Sequence, residues 1–588
     1  MPRSISDISS RDLKFAISKI CERAEYIKKD LADLYVDPDL LHLLVKPKNQ
    51  VIYGRRGTGK THLFARINEY YRKSFNENKV LPISINISSF YDQTNTESDS
   101  EKVVIGIYIA LVKAIIKELE NFAQDNLAIS YIDKVFSTKR KDKIGIIEES
   151  VKELKAILKG EPADELGKYI IEQTQKFSSA NNKEGKLSVD AGLSVEGKPK
   201  FDFSLKDSLS HINLQDKEKK IQIIMEGLRR LNYNKISEHL HKIIDTLDLS
   251  YIAILIDEWS RLKISHQPYL AQMLRSTIIG GKKIFLKLAC IPFHTQLSFY
   301  DINGQPFGYP IGQEIFVDAD LDHIYNSHID LFGLTVFLEL VLQKHLGYTI
   351  KTIMDSSYEQ IHNYFCKSLF ENETVIIEAV HASAGIPRDF LRIIIKAYQS
   401  SNGRLPIRIN NVRIGAREFF QREKNDEFLN NENETARFFE NVFNRVCMPN
   451  EDSRFLVSSN NSNNPIVREL WRNRMIHLIA EKVPGFSNEE YKTYDIYAMD
   501  LGKFIGLTIF ERGQRLFDRI RISTGFALKI IQPEISDLID KLFFSKMEKK
   551  IKKQLETLYT RRISYKIDGL EKVLENTKRY NTDNCFKS

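Results

Sequence analysis

A chain of 588 residues holds about two to four domains, and its 42% hydrophobic and 28% charged residues are those of a soluble globular protein. The longest apolar run, residues 103–112, stops at Lys113, far short of the ~20 residues of a membrane span. The start MPRSISDISSRDLKFAISKI has no apolar core followed by a cleavage site, so no secretory signal is expected. Net charge is +8, compatible with nucleic acid, and five scattered cysteines (Cys21, Cys290, Cys366, Cys447, Cys585) show no metal spacing and suit a reducing cytoplasm.

In chain order, residues 1–48 form an N-terminal segment with a helix predicted over 10–34. Val51, Ile52 and Tyr53 are a short β-type run into Gly54-Arg55-Arg56-Gly57-Thr58-Gly59-Lys60-Thr61, which fills the pattern G-x-x-x-x-G-K-[ST] completely. Glycines let the backbone aim successive N–H groups at phosphate oxygens. Lys60 is placed to reach the β- and γ-phosphates, and the Thr61 hydroxyl to ligate Mg²⁺. A helix over 62–71 presents its positive dipole end to the anion. Gly54, Gly57, Thr58, Gly59, Lys60, Thr61 and His62 are therefore the expected nucleotide-binding residues.

A second strand is expected over 80–87 and a long helix over 99–122, with further helices over 143–159 and 163–177. Residues 186–206 alternate and turn at Gly197-Lys198-Pro199, the pattern of a β-hairpin. Residues 95–245 thus read as an inserted helical module with a hairpin whose lysines could meet nucleic acid or a partner; a solvated hairpin is the simpler account.

Residues 251–258, YIAILIDE, are an uncharged run ending in two acids, the pattern of a buried parallel strand. Such strands bind ligands at their C-terminal ends. Asp257 is placed to hold the Mg²⁺ shell, and Glu258 to polarise the attacking water. Another strand is expected over 284–291. Further on, Gly385-Ile386-Pro387-Arg388 opens an amphipathic helix carrying Phe390, Leu391, Ile393, Ile394 and Ala397, with proline in the first turn.

The order of glycine loop, acidic strand and Gly-x-Pro-Arg helix resembles AAA+ ATPases, and most closely their origin-recognition/initiator-type branch. The resemblance spans about residues 35–425 with one long interruption. It implies ATP and Mg²⁺ as cofactors, a homo-oligomer, a lid over 326–430 and contact of Arg388 with the γ-phosphate. Lys60, Glu258 and Arg388 would be the catalytic residues, with Thr61 and Asp257 at the metal.

Two departures stand out. The interval between Thr61 and Asp257 is far longer than the simple core needs, and no arginine occurs between Arg275 and Arg388, where the family places its arginine finger. Such a finger is worth ~10³–10⁵ in rate. Arg261 and Arg275 are the nearest substitutes, with Lys282 or Lys283 poorer ones, and slow hydrolysis is expected. The strand over 284–291 is followed by Thr295 and ends near Cys290; neither is assigned a sensor role.

After the lid, residues 435–510 read as a small winged-helix-like α/β domain, with a helix over 465–481 and a wing over 494–510 turning at Leu501-Gly502. Arg468, Arg472 and Arg474 are its phosphate-contact candidates. Residues 511–588 are a basic helical tail; residues 546–588 carry 12 Lys/Arg against 6 Asp/Glu, a difference of +6. The expected fold class is α/β: a P-loop core (49–94 and 246–325) with a parallel sheet, a lid, an insertion and the C-terminal domain. No Asn-Lys-x-Asp or Ser-Gly-Gly motif supports a GTPase or an ABC transporter ATPase. Two readings remain: a cytoplasmic ATPase acting on DNA, or a nucleotide switch that oligomerises and recruits a protein, as in anti-phage defence. No membrane partner is expected.

Overall fold

The computed structural model describes residues 8–20, 31–91, 100–127, 138–159, 232–278, 283–300, 304–326, 331–350, 362–425, 434–459, 461–484 and 493–505. They fall into two compact units: Leu41–Tyr53 with Ile67–Ala319, and the described residues of Met1–Leu40, Gly54–Arg66 and Asp320–Ser588. No described helix is long and apolar enough to cross a membrane.

The first unit is built on a five-stranded sheet of β1 (Gln50–Tyr53), β2 (Val80–Asn86), β3 (Tyr251–Asp257), β4 (Ile284–Cys290) and β7 (Phe316–Asp320), in the order β2-β3-β4-β1-β7. The pairs β2·β3, β3·β4 and β4·β1 are parallel, so β1 and β3 end at the same edge with β4 between them. Burial on both faces explains why β3 reads as an unbroken apolar run. The short strands β5 (Ser298–Tyr300) and β6 (Pro306–Gly308) form a separate antiparallel pair.

Helices Ser100–Leu127, Thr138–Lys159 and Tyr233–Thr246 are the described part of the expected insertion. They share one apolar core with the sheet: Tyr108, Leu111, Ile115, Leu154, Leu240 and Ile244 belong with Ile83, Ile254 and Leu286. The Tyr108 hydroxyl lies 2.6 Å from Thr277 Oγ1 on helix Gln267–Ile278, which closes the same face.

In the second unit, helix Ser10–Ser18 starts at a capping box of Ser9 and Asp12 and is shorter than the predicted 10–34. Helices Leu331–Ile350, Glu373–Ala382, Pro387–Ser400 and Ile409–Phe419 follow. Beyond them an antiparallel sheet of β8 (Arg454–Ser458), β9 (Ile476–Pro484) and β10 (Thr493–Met499), ordered β8-β10-β9, packs with helices Glu434–Val442 and Pro465–Arg472.

Two expectations are corrected here. The helix predicted over 465–481 ends at Arg472; Arg474 turns left-handed (φ 63°) and the chain enters β9. The wing expected around Leu501-Gly502 is instead helix Leu501–Ile505, and the hairpin arms are β9 and β10. Gly502 serves close packing rather than a turn, because a Cβ there would lie 2.6 Å from Phe420 Cβ. The hairpin over 186–206, the helix over 163–177 and the tail over 511–588 lie outside the described residues.

Lys287, on the central strand β4, is fully buried. Its ammonium donates to Gln50 Oε1 and, at 3.0 Å, to the Lys46 carbonyl. Burial pulls its pKa down to about 7, opposed by Asp318 and reinforced by Lys48. The unfolded chain therefore holds a proton that the folded chain releases above pH 7, so this lysine makes stability rise with pH and fall again as pH returns through 7. Compared with K287M, wild-type stability to denaturant should climb by up to about 1.4 kcal/mol per pH unit between about pH 7 and 9.5. Parallel pH profiles of the two proteins would refute it.

Candidate nucleotide site

The glycine loop leaves β1 and runs directly into helix Lys60–Lys73. Gly57 has φ +91°, which a side chain resists, and its missing Cβ makes room for Arg388. A Cβ at Gly57 would lie 2.8 Å from Arg388 Cβ and 3.1 Å from its Cδ. The Arg388 amide also faces the Gly57 carbonyl at 3.3 Å. Arg388 stands in the first turn of Pro387–Ser400, after Pro387 at the first position. The structure thus brings this expected residue onto the loop.

Within the loop, Thr58 Oγ1 donates to the Arg55 carbonyl at 2.9 Å. Lys60 Nζ donates to the carbonyls of Gly54 and, at 3.0 Å, Arg55. His62 lies with its ring 6.4 Å from that of His345 on helix Leu331–Ile350. Burial lowers His62 to about 4 and His345 to about 3, so both are neutral near pH 7 and neither side chain offers a cation to phosphate.

Arg55, a variable position of the loop pattern, proves to be its anchor. Its Nε donates to Asp322 Oδ1 and its backbone N–H to Asp322 Oδ2, each at 2.7 Å. Its Nη1 donates to the Ile476 carbonyl at 3.1 Å and reaches His477 Nδ1 at 3.3 Å. The guanidinium carbon stands 5.0 Å from the centre of the Trp471 ring. Guanidinium can only donate, so His477 Nδ1 is the acceptor and Nε2 carries the proton toward Asp500 Oδ2, 3.1 Å away. Burial, with the nearby Arg55 charge, lowers His477 to about 4 against the pull of Asp500.

The chain of contacts continues. Lys424 Nζ meets Asp500 Oδ2 at 2.6 Å and Asp389 Oδ2 at 3.2 Å, and Arg474 also pairs with Asp389. Burial would raise Asp500, but Lys424 and His477 hold it well below the usual carboxylate range. Three carboxylates face three cations around a neutral imidazole, so the buried network balances. Asp389 follows Arg388 in sequence, so one network joins the loop, the three-stranded sheet and the start of helix Pro387–Ser400. Arg474, a phosphate-contact candidate from sequence, is committed to Asp389, while Arg468 Nη2 donates to Asn463 Oδ1 at 2.8 Å.

The acidic pair sits in the sheet-bearing unit. Asp257 ends β3, is 8% exposed, and accepts the Glu258 amide at 2.8 Å. Glu258 is left-handed, with φ 59° and ψ 30°. A turn of helix, Trp259–Arg261, holds it there: Trp259 is fully buried and donates its indole N–H to Gln267 Oε1 at 3.2 Å. Arg261 Nε lies 3.5 Å from Glu258 Oε2. The end of β4 is laced to the same turn, since Ile291 N donates to Ser260 Oγ at 2.7 Å, and Thr295 bonds the Ile291 carbonyl at 2.9 Å. Arg275, the other finger substitute, grips Glu314 through Nε at 2.6 Å and through Nη2. Lys283 pairs with Asp245 at 2.6 Å. Lys282 lies outside the described residues.

The parallel sheet and its helices make this a mixed α/β protein, and the chain carries a phosphate-loop pattern on the segment that Arg388 meets. The chain belongs to the ORC-CDC6-like family, whose model matches residues 21–379. This bears out the initiator-type AAA+ resemblance read from sequence. No curated protein matches the sequence. Among solved structures, the Aeropyrum pernix ORC1 protein in complex with DNA matches at 12% identity over 89% of this chain and 98% of that one, with a TM-score of 0.28, too loose to add to the family match.

Truncating Arg55 strands Asp322, which is 12% exposed, beside an empty guanidinium space. Breaking a buried pair this way costs about 3–5 kcal/mol. R55A should therefore lower the unfolding midpoint markedly, and R55K should restore only part of it, because an ammonium cannot make the forked contact. Equal stability of R55A and wild type in thermal unfolding would show that the anchor is dispensable.

Proposed function

We propose that this protein binds ATP with Mg²⁺ on its glycine loop, hydrolyses it slowly, and uses the nucleotide state to control DNA binding or remodelling. The approach of Arg388 to Gly57 carries the reading, because its backbone and the base of its side chain meet the loop that the pattern assigns to phosphates. The residues suit a triphosphate: Gly57 and Gly59, both at φ +91°, turn the loop, Lys60 and Arg388 supply positive charge, and Asp257 is a nearly buried carboxylate for a divalent ion. Bound Mg²⁺·ATP supplies the phosphoanhydride and the Lewis acid. Lys60 would neutralise the β- and γ-phosphates, Thr61 and Asp257 would hold the metal shell, and Glu258 would orient and polarise water. Arg388 would report the γ-phosphate to the lid. The net charge of +8 and the family support DNA as the macromolecular ligand.

A second reading, a nucleotide switch that oligomerises and recruits a protein, draws on one observation. Arg275 is held by Glu314, its side chain is 19% exposed, and no arginine follows until Arg388. A chain without a ready arginine finger suits slow turnover and long-lived states.

Steady-state ATP turnover, measured with and without duplex DNA over a salt series and with E258Q as blank, separates the two. Stimulation by DNA that fades with salt supports the first reading; slow turnover indifferent to DNA supports the second. K60A should abolish nucleotide binding. R388A should lower turnover or ATP-over-ADP preference by ~10–100-fold, the scale of one charge-assisted hydrogen bond. Unchanged turnover and preference in R388A would remove the lid arginine from the site.

A further inference from the structure

We propose that the lid carries a second, nucleotide-independent metal site of the zinc class, with Cys366 and His362 as ligands and Glu339 holding the imidazole in place. One ligand atom from each of the three residues falls within 4.8 Å of the others. Cys366 Sγ is 3.8 Å from His362 Nε2. On the other side of the ring, both Glu339 oxygens are 3.0 Å from Nδ1. Glu373 supplies a further oxygen, Oε1 at 3.4 Å from Nε2.

These distances have the scale of a coordination shell. Ligand atoms at about 2.0–2.3 Å from a tetrahedral zinc stand roughly 3.3–3.8 Å apart. The sulfur and the Glu373 oxygen are both at that spacing from Nε2. The Glu339 carboxylate on Nδ1 is the outer-shell partner that fixes tautomer and orientation in metal-bound histidines. It comes from inside the lid: Glu339 is 2% exposed on helix Leu331–Ile350, between turns carrying buried Leu338 and Leu342.

The backbone prepares the pair. His362 and Cys366 are four residues apart, and Cys366 lies in a widened turn of helix, Phe365–Leu369. Widened turns inside helices concentrate at functional sites. Glu373 opens the next helix, Glu373–Ala382. An ion here would tie three successive pieces of the lid together. A thiolate with an imidazole and carboxylates selects zinc and other late transition metals over Mg²⁺ or Ca²⁺. The set was invisible as spacing, because only His362 and Cys366 are close in sequence and Glu339 arrives from another helix.

The test uses full-length, nucleotide-free protein, stripped with a chelator and kept reduced, titrated with Co²⁺ and then Zn²⁺. One sulfur-ligated cobalt per chain is expected, seen as a sulfur-to-cobalt charge-transfer band and lost on adding Zn²⁺. C366S should abolish the band, and E339Q should weaken binding by ~10–100-fold. In wild-type protein, Zn²⁺ should slow alkylation of Cys366, read by peptide mass spectrometry, which decides the matter even if C366S fails to fold. Absence of the band, its persistence in C366S, or alkylation of Cys366 indifferent to Zn²⁺ would overturn the site and leave a plain hydrogen-bonded cluster. None of these readouts uses ATP, so failure here is distinct from failure of the proposed nucleotide chemistry.

Discussion

The grip of Arg55 on Asp322, His477 and the Ile476 carbonyl is the contact on which the loop's surroundings depend. A glycine loop is intrinsically mobile, since glycine gives up more conformational freedom on ordering than any other residue. Here one side chain inside the loop is locked by a charged fork and a carbonyl. Because its partners are buried, the grip is little screened by salt.

The same network extends into the three-stranded sheet and the helix after it. Asp500 precedes helix Leu501–Ile505 and supports it by accepting the Gly502 amide at 2.9 Å. It also holds Lys424, which holds Asp389 at the start of helix Pro387–Ser400. A shift at the glycine loop must repack these charges or leave one unpaired in the interior, which costs several kcal/mol. Such a network favours a few discrete arrangements over gradual drift.

The pattern of the candidate site is local in the sequence. The loop is eight consecutive residues, the acidic strand is one apolar run with two acids, and the lid arginine follows a proline at a helix start. The anchor was not legible. Arg55 fills a variable position, and its partners lie 267 and 422 residues away, brought close only by folding. The misplaced wing has a physical cause too. Residues 494–499 are the central strand of the small sheet and are buried but for Ile496, while Gly502 looks like a turn and is in fact a gap left for Phe420. The helix predicted over 465–481 failed for a related reason, since Met475, Ile476 and Leu478 suit a strand as well as a helix and tertiary pairing decides. Helix 100–127, expected within an inserted module, and helix 233–246 share one apolar core with the sheet.

Glu258 sits where the backbone asks for glycine or asparagine. Its left-handed conformation is a standing cost of about 1–2 kcal/mol that a smaller residue would largely avoid. Its neighbour Trp259 spends a fully buried indole to keep the turn closed. A glycine in place of Glu258 would relieve that cost, so the carboxylate at the end of β3 is held at the expense of backbone strain.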